Sequence, residues 1–163
     1  IRIFMLQEKI LDKKLSFGDI FELVKRVVEK HLKLHRAGLT LLLENMPTYI
    51  GAYYPEGSNY IVLNRALVTK LKEVISNDLE YNSFIFVILM HEYLHSLGFY
   101  NERVVRSMVT EICKNEFGES SMPYEHAISN WLEKYPELNF PVIKERSFEI
   151  VRDFDFGSQS YIG

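Results

Sequence analysis

A chain of 163 residues, 47% hydrophobic and 25% charged, has the length and composition of one globular domain with a sizeable core. Its net charge of −3 leaves no basic footprint for nucleic acid or for an anionic membrane surface. A single cysteine, Cys113, excludes an internal disulfide and a Cys-rich zinc finger. Flanked by Val109 and Ile112 at helical spacing, it reads as a buried, inert thiol. The longest apolar run, Phe84 to Met90, falls far short of the roughly 20 residues that span a bilayer. With one cysteine and no signal-peptide pattern at Ile1, the expectation is a cytoplasmic protein in a reducing compartment.

Residues 1–15 carry Ile3, Phe4, Ile10 and Leu11 and fit a short strand or helix. Ser16, with Asp19 three residues on, forms a short-armed capping box. From Ile20 to Leu32 apolar residues recur at i, i+3 and i+4, which predicts an amphipathic helix ending near Gly38. Leu39 to Glu44 reads as a buried strand. Ile50–Tyr54 and Tyr60–Leu63, separated by a Pro-Glu-Gly-Ser-Asn turn, read as a hairpin. Asn64 caps a helix over Ala66 to Ile75, and Ser76-Asn77-Asp78 interrupts the chain. The next helix runs from about Asn82 to Leu97, apolar all round over 84–90, and Gly98 stops it. Asn101 caps a further helix ending at Gly118. Residues 119–123 form a loop, and a last helix spans Tyr124 to Tyr135. The tail from Phe140 alternates in part and fits a strand or an extended arm. The outline is one α+β domain, with a small antiparallel or mixed sheet.

His91-Glu92-Tyr93-Leu94-His95 closes the most apolar helix. Residues four apart share a helix face, so His91 and His95 can present two imidazoles to one ion, with Glu92 beside them as a base. Chance gives this pattern in roughly 1% of shuffled chains of such composition. The plainer reading is two satisfied core histidines. Burying His, Glu and His together in so apolar a helix is costly without a metal or partners, which favours the metal. A catalytic zinc takes three protein ligands and leaves one position for water, whose pKa it lowers to about 7. The third ligand must come from elsewhere. If the turn at 98–101 makes a helix hairpin, Glu102 falls near the level of the histidines. Glu102 ranks first, ahead of Glu111, Asn101 and His126, with Glu116 further along. Arg103 and Arg106 are candidates for binding a substrate carboxylate, against the plainer reading of ion pairs with nearby Glu. His31 and His35 are also four apart but lack a following Glu, and read as a solvated helix edge.

His91 to Gly98, H-E-Y-L-H-S-L-G, resembles the active-site helix of zincin metallopeptidases, and its H-E-x-x-H-x-x-G form is similar to the metzincin clan. Through Glu102 the run resembles the astacin type of that clan. Ser121-Met122-Pro123-Tyr124 resembles its methionine turn, and Asn59–Asn64 looks like the edge strand on which zincins lay an extended substrate. The resemblance covers roughly residues 39 to 135. It departs at Asn101, where metzincins carry a third His; a Glu from a following helix, as Glu102 would supply, is what the gluzincin branch and its small archaeal members use. The resemblance implies a zincin-like fold, one catalytic Zn2+ on His91, His95 and Glu102, and Glu92 as general base. It also implies that Tyr124 binds the metal or steadies the oxyanion, against the plainer reading of a core tyrosine. The expected function is zinc-dependent hydrolysis of a peptide or protein substrate, with no nucleic-acid or membrane partner. The alternatives are a zincin-like metal- or peptide-binding protein without turnover, and hydrolysis of a non-peptide amide. An intact Glu92 argues for turnover. A further expectation is latency, with residues 140–163 lying in the cleft.

Overall fold

Polar side chains that can accept a backbone N–H punctuate this chain, and most of them open a helix. The computed structural model describes residues 8–143 and 148–155. Ser16 and Asp19 form the reciprocal capping box and start α1 (Phe17–Leu32). The helix stops at Leu32 rather than near Gly38. Lys33 turns into the left-handed region at φ 59°, its N–H closing on the Glu29 carbonyl. Past that point the apolar stripe ends, and Leu34 is exposed.

Four strands follow: β1 (Thr40–Glu44), β2 (Ala52–Tyr53), β3 (Tyr60–Asn64) and β4 (Glu149–Val151), in the spatial order β2-β3-β1-β4. The expected hairpin is present, with β2 antiparallel to β3 and Ala52 opposite Leu63. β1 runs parallel to β3, and β4 is antiparallel to β1, so the sheet is mixed. This order corrects two expectations. β3 lies between β1 and β2, and β2 covers Val62 and Leu63, so β3 is not the edge strand; the free edge on that side is β2. The described part of the tail adds β4 to the opposite edge instead of entering a cleft. It is fastened there by Asp155, which is buried, ion-paired with Lys25 and accepts from Leu39 N–H at 2.9 Å. Residues 144–147 and 156–163 of the tail lie outside the described residues.

Asn64, fully buried, caps α2 (Arg65–Val74) and binds the loop before β2: its amide donates to the Met46, Pro47 and Ile50 carbonyls at 2.8–3.1 Å and accepts from Met46 N–H. α3 (Asp78–Ser96) starts four residues earlier than expected. Asn77 accepts from Glu80 N–H at 2.8 Å, and Asp78 and Glu80 complement the dipole, so the segment read as an interruption is a helix cap. α4 (Glu102–Phe117) is capped by Asn101. The helix expected over 124–135 is two, α5 (Met122–Ile128) and α6 (Trp131–Lys134). Asn130 breaks it by capping α6. Met122 and Pro123 are not a loop; Ser121 caps α5, and a proline in the first turn lacks only an N–H that would have had no helical partner.

The architecture is α+β, with helices packed around a small mixed sheet. One apolar cluster runs from Leu11 to Phe154. α3 passes through it, with residues 84–90 buried except for Val87, which is partly exposed on the side that carries His91 one turn later. α1 covers α3 through the edge-on pair Phe21–Tyr93, and Phe86 meets Phe117 of α4 the same way. Among the described residues no helix is long and apolar enough to cross a membrane.

Candidate metal centre

The C-terminal end of α3 builds the site. Gly98 has φ +106°, a conformation that L side chains resist. It lets Phe99 N–H return to the Leu94 carbonyl and Gly98 N–H to that of His95, a Schellman closure. The Phe99 carbonyl thereby comes 2.7 Å from His95 Nδ1. A carbonyl only accepts, so Nδ1 carries a proton, and in the neutral imidazole Nε2 is then the nitrogen with a lone pair for a cation. Tyr93, fully buried between the two histidines, accepts from Arg36 N–H at 2.9 Å and fixes the rotation of the helix. Arg36 in turn donates to the Ser96 carbonyl and to Ser58 in the hairpin turn.

His91 Nε2 and His95 Nε2 stand 3.2 Å apart. The short 98–101 connection brings the first residue of α4 alongside, where the Glu102 carboxylate is 2.9 Å from His91 Nε2 and 2.8 Å from His95 Nε2. Ligand atoms bound tetrahedrally at 2.0–2.1 Å lie about 3.3 Å apart, so these three donors converge to within about half an ångström of a zinc-sized coordination set. Burial works to raise the Glu102 carboxyl, but the charges of His91 and His95 and their hydrogen bonds outweigh it and hold it below the usual range. His91 is lowered, first by burial and then by His95 and Arg106, against the pull of Glu102.

His91, Glu92 and His95 can each offer a ligand atom within 4.8 Å of the others, so Glu92 also competes for the role of third ligand. Its setting argues for a different one. Glu92 is only 4% exposed, and burial, then the Glu102 charge, pushes it up to about 8. Its Oε2 is buried without a hydrogen-bond partner. An orphaned carboxylate oxygen beside two converging imidazoles is what a water or a proton in transit would satisfy.

His91, Glu92 and Glu102 open onto a cleft of about 570 Å³. Its other walls are residues 49–52 leading into β2, Val87 and Ile88 on α3, Arg106 and Val109 on α4, and residues 126–132. Trp131 donates from Nε1 to the Thr48 carbonyl at 2.8 Å and closes over Gly51, where an added Cβ would stand 3.3 Å from the indole and 3.1 Å from Ile88.

The other candidates fall elsewhere. Asn101 is engaged as the cap of Val104 N–H. Glu111 is exposed beside Asn115. Glu116 is buried against α1, paired with Lys30 and with His31 at 3.0 Å, so His31 is a packing contact rather than a solvated edge. His126 lines the cleft, but its Nε2 meets the Glu80 carbonyl at 3.1 Å. Tyr124 packs half-buried against the core and is not among the cleft-lining residues, because the Ser121 cap makes it part of the first turn of α5. Trp131 and residues 49–52 line the cleft without any motif in the sequence to mark them, the lone tryptophan apart. No protein-family model, curated protein or solved structure matches this chain.

Proposed function

We propose that this protein is a zinc-dependent peptidase of zincin-like build, with His91, His95 and Glu102 as the metal ligands. The observation that carries the reading is the convergence of both Nε2 atoms and the Glu102 carboxylate beside the unpartnered oxygen of Glu92. The donor set, two imidazoles and a carboxylate, suits zinc. A zinc ion held there supplies a Lewis acid that polarises a carbonyl and acidifies water.

This chain's own residues do the rest. Glu92 takes the proton of the attacking water on Oε2 and returns it to the leaving amine. Its burial favours the second half, in which the carboxyl holds the proton, and a cation beside it would favour the first, in which it must be ionised. Phe99 holds His95 in the ligating tautomer. The free edge of β2, beside the cleft, offers backbone groups to an extended substrate, the role first expected of residues 59–63.

The test is metal content and turnover together. Wild type should hold one zinc per chain and cleave members of a mixed peptide library. Glu92→Gln should keep the zinc and lose turnover by about 100-fold or more. A wild type that binds zinc tightly but cleaves no peptide defeats the peptidase reading and leaves a binding protein.

A further inference from the structure

Arg106 lies four residues after Glu102 on α4 and lines the same cleft as His91, Glu92 and Glu102. Its charge is close enough to bear on the His91 imidazole. Nearby acids do not neutralise it: both Glu102 oxygens face the histidines, and Glu111 sits beside Asn115. Among the described residues Arg106 has no ion pair or hydrogen bond. A guanidinium offers planar, paired donors that match a carboxylate.

Val87, Ile88, Ile128 and Trp131 give the same cleft an apolar wall. Trp131 is held there by its bond to Thr48 and by the edge-on ring of Phe84 at 5.8 Å. A cleft of about 570 Å³ is the size of a site for a small ligand, and accommodates a few residues rather than a long chain. Carboxylate receptor and apolar wall beside one metal set are matched by the last residue of a peptide, which bears both groups.

We infer that the cleft takes the C-terminal residue of a short peptide, its free carboxylate on Arg106 and its apolar side chain against Trp131, Val87 and Ile88. The inference rests on the metallopeptidase reading for its hydrolytic sense, where it makes the enzyme one that releases an apolar C-terminal residue. The bond broken is the last peptide bond; water adds across it, giving a shortened carboxylic acid and a free amino acid.

Binding can be read without turnover. Trp131 is the only tryptophan, so fluorescence of zinc-loaded Glu92→Gln protein reports on the cleft. The probes are acetyl-Ala-Phe, acetyl-Ala-Phe-amide and acetyl-Ala-Phe-Glu-amide. The free acid should bind roughly tenfold or more tighter than the amide, the usual worth of a hydrogen bond to a charged group. Adding Arg106→Gln should bring that ratio close to one, and Arg106→Lys should restore part of it. Equal binding of acid and amide, or no binding of either, overturns the inference. So does an acid preference that survives Arg106→Gln, which would put the carboxylate on the metal. Glu-amide binding as tight as the free acid would mean that the site reads an acidic side chain, and overturns the terminal assignment. None of these outcomes depends on wild-type cleavage, whose absence counts only against the peptidase reading.

Discussion

His95 Nδ1 lies 2.7 Å from the carbonyl oxygen of Phe99, four residues on, and the glycine between them makes that contact available. Turn and imidazole orientation are therefore one device. Gly98→Ala introduces no clash, since nothing lies within 4 Å of the added Cβ, so its effect is purely conformational. It should cost about 1 kcal/mol of stability and weaken zinc binding by roughly tenfold as the Phe99 carbonyl drifts from His95. Urea unfolding and a competitive zinc titration check this. Unchanged zinc affinity in a destabilised variant would separate the turn from the metal set.

Glu102 and Glu111 share α4 but not an environment. Glu102 meets both histidines, whereas Glu111 meets Asn115. Glu102→Ala should lose zinc affinity by about 100-fold or more, while Glu111→Ala should bind like wild type. Metal content after gel filtration against a weak chelator reads the difference. Full retention by Glu102→Ala, with loss in Glu111→Ala, would reverse the assignment.

Much of this was legible because local rules and the fold agree. The caps at Ser16, Asn64 and Asn101 and the stop at Gly98 are short-range signals, and each is met. His91 and His95 lie one helical turn apart on one face, which follows from spacing alone. The nearness of Glu102 to both histidines followed from the shortness of the 98–101 connection. What escaped was set by long-range pairing. The interior place of β3 depends on β1 returning parallel to it, and the course of residues 148–155 depends on β4 joining β1, which no local pattern encodes. The cleft walls at 49–52 and Trp131 meet across 83 residues of sequence, through Trp131 and Thr48. Tyr124 misled because the tight cap at Ser121 outweighs the likeness of its neighbours to a methionine turn.

The Lys25–Asp155 pair makes the end of the described chain part of the fold. Both side chains are buried, at 2% and 3% exposure, and Asp155 also holds Leu39 N–H. Lys25→Met leaves a buried carboxylate without this cation and should cost on the order of 3 kcal/mol. Adding Asp155→Asn, which keeps an acceptor for Leu39, should recover part of that loss. Denaturant unfolding of the two variants decides, and a single variant within 1 kcal/mol of wild type would show that the pair contributes little. Removing residues after 139 should likewise lower stability rather than unmask activity, contrary to the latency expectation.

His126 gives the fold a pH dependence of known sign. Burial first, then the Lys134 charge, lowers its imidazole to about 4, while its Nε2 stays against the Glu80 carbonyl. Between pH 4 and 6.5 the unfolded chain therefore binds this proton more readily than the folded one. The contribution is fully present above about pH 6.5 and is lost as pH falls towards 4, by about 3 kcal/mol in all. Carboxylates titrate near the lower end of the same window, so the comparison must be made with a variant that lacks only this group. In metal-free protein, the stability of wild type minus that of His126→Gln should fall by about that amount between pH 7 and pH 4. A difference that stays flat across the window would mean that His126 takes up its proton in the folded state as easily as in the unfolded one.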